Sequence, residues 1–123
     1  MYKGKKLLIV DDSPVERHIL REIASGLGFE VLEAESGEEG FEKAVAVNPD
    51  IILMDVVMPG MNGFQATKKI TSTEVLQGVP VIMCTSKGQA TDKIWGQRQG
   101  ASAYVVKPVN KEDLISEIKK LMR

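Results

Sequence analysis

Short apolar runs recur five times along the chain, each followed by an amphipathic stretch, and that alternation leaves few architectures open. Leu7–Val10 and Ile51–Met54 are apolar at every position. A strand with one wet face alternates apolar and polar residues; a strand covered on both faces does not. These runs are too short for a buried helix, and most are rich in β-branched residues, so strands are expected near 6–10, 30–34, 51–54, 80–84 and 103–106.

The intervening stretches carry helix start signals. Ser13 is placed to cap a first helix, Pro14 suits its first position, and Glu16 completes a Ser-x-x-Glu pattern. Ile19, Ile23 and Leu27 form one stripe, and Gly28 stops the helix. Ser36 and Glu39 repeat the pattern ahead of Phe41, Ala44 and Val45, and Asn48-Pro49-Asp50 turns the chain. Asn62 with Gln65 opens a third helix to about 72. A fourth spans about 89–98 and ends before Gly100. Asn110 caps a fifth, with Leu114, Ile118 and Leu121 as its stripe.

Strictly alternating strands and helices imply an α/β fold with a parallel five-stranded sheet. Right-handed crossovers make it doubly wound, with helices on both faces. At 123 residues the chain fits one domain, 1–123, and an apolar share of 43% is enough for a core. A formal net charge of −1 argues against broad electrostatic binding to nucleic acid or anionic lipid. No apolar run approaches the ~20 residues that span a bilayer. The basic start, Met1 to Lys6, leads into an apolar run too short for a secretory signal. Cys84 is the only cysteine, so no internal disulfide forms, and a reducing cytoplasm is the expected setting.

Ligands of doubly wound sheets bind beyond the carboxyl ends of the strands. Asp11 and Asp12 close the first run, Asp55 the third, Thr85 the fourth and Lys107 the fifth. Three carboxylates in one pocket repel, and repulsion raises at least one pKa unless a cation intervenes. Hard oxygen ligands with no His or Cys beside them point to Mg2+. A carboxylate next to Mg2+ can attack a phosphoryl group and form an aspartyl phosphate. The transferring charge is then neutralised by Mg2+ on one side and the Lys107 ammonium on another, with the Thr85 hydroxyl on a phosphoryl oxygen.

These residues resemble the receiver domain of bacterial two-component response regulators, of the single-domain type typified by the chemotaxis regulator CheY. The resemblance covers essentially the whole chain. It implies a flavodoxin-like (βα)5 fold with strand order 2-1-3-4-5. Asp55, within Leu53-Met54-Asp55-Val56-Val57-Met58-Pro59, matches the phosphoacceptor. Asp12 matches a direct Mg2+ ligand, Asp11 an acid acting mostly through water, and the main-chain carbonyl of Val57 the remaining protein ligand. Thr85 and Tyr104 match the switch pair and Lys107 the phosphoryl-binding lysine, with Lys107–Pro108 as a cis peptide. Such a protein is not an enzyme in the ordinary sense, since it catalyses only its own phosphorylation and dephosphorylation. The implied partners are a histidine kinase and a downstream effector that binds the face of the fourth helix, fifth strand and fifth helix. A monomer without membrane insertion is expected, and direct DNA binding is not expected, since no output segment follows residue 123. Asn62-Gly63-Phe64-Gln65-Ala66-Thr67 and Trp95-Gly96-Gln97-Arg98-Gln99-Gly100-Ala101 further resemble receivers of the type IV pilus, twitching-motility chemosensory system, the PilH-like type.

Val57 and Lys87 depart from the chemotaxis pattern, and their side chains are expected to tune the lifetime of the phosphate. His18 and the lysines at 68, 69, 119 and 120 read as solvated helix positions. Cys84 and the methionines read as core. Trp95 fits either helix surface or a partner face. Four other functions remain open at this level: a phosphate sink without effector, a chemotaxis or flagellar regulator, an aspartyl-phosphate phosphatase, and a flavin-binding module. The absence of a cap domain disfavours the phosphatase. The acidic pocket and the lack of a Ser/Thr/Gly-rich phosphate loop disfavour the flavin.

Overall fold

A computed structural model describes residues 1–123. Strands β1 (Lys6–Val10), β2 (Glu30–Ala34), β3 (Ile51–Met54), β4 (Val81–Thr85) and β5 (Ala103–Val106) alternate with helices α1 (Pro14–Gly26), α2 (Gly37–Val47), α3 (Gly63–Thr71), α4 (Ala90–Arg98) and α5 (Lys111–Leu121). A single 3-10 turn, Glu74–Leu76, precedes β4. All strand pairs are parallel, in the order β2-β1-β3-β4-β5. This is the doubly wound architecture the alternation implies, in the flavodoxin-like strand order the family resemblance implies.

Strand side chains point to alternate faces, so each fully apolar strand feeds two cores. Leu8, Val10, Ile52, Met54, Val81 and Met83 pack with Ala44 of α2 and Phe64, Ala66 and Ile70 of α3. Leu7, Ile9, Ile51, Leu53, Ile82 and Cys84 pack with Leu20, Ile23 and Ala24 of α1 and Leu114 and Ile118 of α5. β4 ends one residue later than its apolar pattern indicates, so Thr85 belongs to the sheet and pairs with Val106.

The α1 stripe needs a correction. Ile19 is 41% exposed, whereas Leu20 is 1% exposed and Ile23 and Ala24 are buried. The face on the sheet therefore runs through Leu20, Ile23 and Ala24, and the earlier stripe is displaced around the helix at its first member. A spacing of four alone accepts either phase; the position of β1 selects one. Val45 of α2 is likewise exposed, leaving Ala44 against the sheet.

The side-chain caps form, but Ser13 with Glu16 and Ser36 with Glu39 do not close as reciprocal boxes. Asn62 and Gln65 exchange both hydrogen bonds of a capping box, at 2.9 Å each. Ser13 accepts from the Glu16 N–H at 3.3 Å, but its own N–H donates to Asp11 Oδ1 at 2.9 Å. The Glu16 carboxylate turns elsewhere. Asn110 caps α5 through the Asp113 N–H at 3.0 Å.

Replacing Leu20 by Ala is expected to cost about 2–5 kcal/mol, and replacing Ile19 by Ala about 1 kcal/mol or less. Chemical denaturation of the two variants against the parent checks the phase of α1.

Candidate functional site

The sheet sets the site by hydrogen bonding past its own strand ends. Val10 stands level with Ala34 and Met54, Met54 with Met83, and Thr85 with Val106. One residue further on, Asp11 N–H donates to Ala34 at 3.1 Å, Asp55 N–H to Val10 at 2.9 Å, and Lys107 N–H to Thr85 at 2.8 Å. These three residues are thus each held by a ladder bond as the strand leaves the sheet, and all emerge at one edge.

Asp11, Asp12 and Asp55 each offer a carboxylate oxygen, and these atoms lie within 4.8 Å of one another. Asp11 and Asp55 are buried; Asp12 is exposed. Lys107 reaches in from β5. Its Nζ lies 2.8 Å from Asp11 Oδ2, 3.7 Å from Asp55 Oδ1 and 3.9 Å from Glu16 Oε2. Both Asp11 oxygens are engaged, one by Lys107 and one by the Ser13 N–H. Asp55 Oδ1 accepts from the Val56 N–H at 2.8 Å. Three hard carboxylates converging this closely are a donor set suited to a small oxygen-seeking dication such as Mg2+.

The charges leave clear electrostatic marks. Burial first, and then repulsion by Asp11, holds the Asp55 carboxyl above the usual aspartate range; Lys107 and the Val56 N–H offset part of this. Burial alone would lower the Lys107 ammonium, but its hydrogen bond to Asp11 and the charges of Asp11, Asp55 and Glu16 prevail and raise it. Cys84, buried under this edge, has its thiol pushed up to about 12, chiefly by desolvation, and is a neutral core residue.

Thr85 is fully buried, and its hydroxyl accepts from the Lys87 N–H at 3.3 Å. The Lys87 carbonyl in turn accepts from the Tyr104 hydroxyl at 2.6 Å. One residue of the β4–α4 loop therefore joins the two residues that the family pattern couples. Val57 follows Asp55 in the same edge loop, with its side chain exposed. The Lys107–Pro108 peptide is cis.

Two contributors escape motif reading. Glu16 presents only as a capping residue, yet its carboxylate faces the lysine. Gly63 opens α3 directly over the Asp55–Val56 segment, donating its N–H to the Val56 carbonyl at 2.9 Å. A Cβ there would lie 1.9 Å from the Asp55 carbonyl oxygen, so only glycine allows the approach. The Asn-Gly pair at a helix start was the available signal.

An acid-edged, doubly wound sheet with one lysine among its carboxylates defines the class. The response regulator receiver domain model matches residues 7–119, and the chain belongs to that family. Among known proteins it is 49% identical to protein PilH of Pseudomonas aeruginosa, over 92% of this chain and 93% of that protein. It is 34% identical to the phosphate regulon transcriptional regulatory protein PhoB of the same organism, over 98% of this chain and 52% of PhoB. Among solved structures, chemotaxis protein CheY4 of Vibrio cholerae superposes with a TM-score of 0.89 at 32% identity, covering 95% of this chain and 98% of that one. A Borrelia burgdorferi CheX–CheY complex with BeF3 and Mg2+ gives a TM-score of 0.90 at 27% identity, covering 98% of this chain and 91% of that one. No helix is long and apolar enough to cross a membrane.

A raised Asp55 pKa means that the native state binds this proton more tightly than the unfolded chain. Its contribution therefore falls as pH rises from about 3.8 through the folded value, and it burdens the native state at neutral pH. Asp55→Asn is expected to raise Tm at pH 7 in metal-free buffer. The gain should shrink as pH falls to and below 3.8. Thermal unfolding across pH checks both the sign and the window.

Proposed function

We propose that the chain is a single receiver domain, 1–123, that works as a phosphorylation switch. Asp55 takes a phosphoryl group from the phosphohistidine of a histidine kinase. An Asp55 carboxylate oxygen attacks phosphorus as the P–N bond breaks, and the imidazole leaves with the electron pair and takes up a proton. The observation that carries this reading is the meeting of Asp11, Asp12 and Asp55 within 4.8 Å, with the Lys107 ammonium 3.7 Å from Asp55.

Asp12, Asp55 and the Val57 carbonyl would hold Mg2+ directly, and Asp11 would act through water. The engagement of both Asp11 oxygens and the exposure of Asp12 favour that division. When bound, Mg2+ supplies positive charge to the phosphoryl oxygens and relieves repulsion among the acids. Lys107 exchanges part of its carboxylate contact for the phosphoryl group and fixes its orientation. The Thr85 hydroxyl hydrogen-bonds the product.

A Thr85 drawn toward the phosphate must release or drag the Lys87 N–H. Through the Lys87 carbonyl the strain reaches the Tyr104 hydroxyl, and so the surface of α4, β5 and α5. Ile94, Trp95 and Val106 are exposed on α4 and β5. An effector protein that prefers one ring position needs a coupling of only ~1–3 kcal/mol to be switched. Likeness to PilH over nearly the full length of both chains favours a chemosensory pathway of type IV pilus twitching motility. The Borrelia burgdorferi CheY forms a complex with CheX, BeF3 and Mg2+, a precedent for protein binding by a receiver of this family.

Incubation with phosphoramidate or acetyl phosphate and Mg2+ is expected to add one phosphoryl group, read by intact mass. Asp55→Asn or a chelator abolishes the addition, and Lys107→Ala slows it on the order of 10²-fold. Labelling that persists in Asp55→Asn sinks the assignment. Capture of an effector with beryllofluoride and Mg2+, and not without them, separates the switch from a phosphate sink.

A further inference from the structure

Arg17 is a largely buried cation, its side chain 11% exposed, on the first turns of α1. Burying a guanidinium is costly unless it is paired, and Glu33 on β2 pairs it through Nε at 3.2 Å. Glu35 adds a weaker, exposed contact to Nη2 at 3.4 Å. The shortest of its bonds goes elsewhere: Nη1 donates to the main-chain carbonyl of Asp11 at 2.7 Å.

That carbonyl is half of the peptide joining Asp11 to Asp12. A peptide group is planar, so fixing its oxygen fixes the amide nitrogen and the Cα of Asp12 with it. The Asp11 side is already tied, by its N–H to Ala34 and its Oδ1 to the Ser13 N–H. Asp12 is exposed and has no such tie through its side chain. Its carboxylate can be preorganised only through its backbone, and Arg17 is the side chain that grips that backbone. We propose that Arg17 is a positioning residue for the paired acids, setting the placement of Asp12 and thereby the affinity of the site for a divalent cation.

The guanidinium suits this task by shape. Its planar fork reaches the Asp11 carbonyl and the Glu33 carboxylate together, whereas a lysine ammonium is a single point charge on a flexible four-carbon stem. A charge-conserving exchange should keep the fold and lose the grip. The inference rests on the phosphorylation-switch reading, and the experiment distinguishes failure of one from failure of the other.

Mg2+ binding is measured by titration calorimetry for the parent, Arg17→Lys, Arg17→Met and Glu35→Gln. Phosphorylation rates are taken across Mg2+ concentration, and folding is verified by circular dichroism. Outer-sphere partners of a metal site typically govern affinity by ~10–100-fold. Arg17→Lys is expected to raise the Mg2+ Kd by about tenfold while the phosphorylation rate at saturating Mg2+ returns close to the parent value. Arg17→Met, if it folds, should match or exceed that loss, and Glu35→Gln should bind Mg2+ as the parent does. The Asp12 and Ser13 amide resonances should shift in Arg17→Lys without Mg2+. A folded Arg17→Lys with lower Tm and unchanged Mg2+ Kd would make Arg17 a structural ion pair and overturn the proposal alone. A parent protein that neither binds Mg2+ nor accepts a phosphoryl group would overturn both readings.

Discussion

If β3 slipped one residue against β1, every side chain on β3 would change face and Asp55 would leave the edge where Asp11 ends β1. Burial on both sides prevents the slip. Leu8, Val10, Ile52 and Met54 belong to one core, and Leu7, Ile9, Ile51 and Leu53 to the other. A slipped register would present each set to helices shaped for its counterpart. The same ladder that makes the sheet then continues into Asp11, Asp55 and Lys107, each bonded through its N–H to the neighbouring strand. Hydrophobic pattern thus fixes register, and register fixes the distances between charges.

Those charges make the edge an uneasy place. Three acids surround it, two of them buried, with a fourth, Glu16, facing the same ammonium. Lys107 binds Asp11 tightly and stands farther from Asp55, so Asp55 is the less compensated of the two buried carboxylates. Burial first, and then Asp11, hold its carboxyl above the usual aspartate range, and Lys107 offsets only part of that. Lys107 works in the opposite direction: its raised pKa contributes stability that is complete below about 10.5 and lost as pH rises through the folded value. A carboxylate held short of full compensation gains most from added positive charge, a property that the role proposed for Asp55 would use.

Strand positions, caps and the edge residues were legible because each is written locally. An apolar run ends in Asp or Lys, and a Ser or Asn stands three residues before Glu or Gln. What stayed hidden depends on how elements meet. Ile19 and Leu20 fit a helical stripe equally well until β1 decides which one it covers. Glu16 completes a capping pattern in sequence, but the Asp11 carboxylate takes the Ser13 N–H first and leaves Glu16 free to face Lys107, 91 positions away in the chain. The bond from Arg17 to a carbonyl leaves no residue-type signature at its acceptor. Gly63 could be read as a turn residue, not as a seat for the Asp55 peptide.

Helix α4 follows the opposite logic from the rest of the fold. Its one buried residue is Gly96, and Ile94 and Trp95 face outward, so little apolar surface binds it to the sheet. A glycine inside a helix costs about 0.5–1 kcal/mol relative to alanine, which would be wasted on an ordinary surface helix. Here a Cβ at position 96 would lie 3.1 Å from Tyr104 Cε2, tight enough to move the ring or the helix. The missing methyl is the space the ring occupies. Tyr104 is held at its other end by the Lys87 carbonyl, in the loop whose N–H reaches Thr85. Its ring therefore joins the loop beside the acidic pocket to the most weakly anchored helix. Elements with few buried contacts open and shift at the lowest free-energy cost. A displacement at Thr85 would meet a stiff sheet on one side and α4 on the other, and the compliant side is the one that carries the exposed apolar residues.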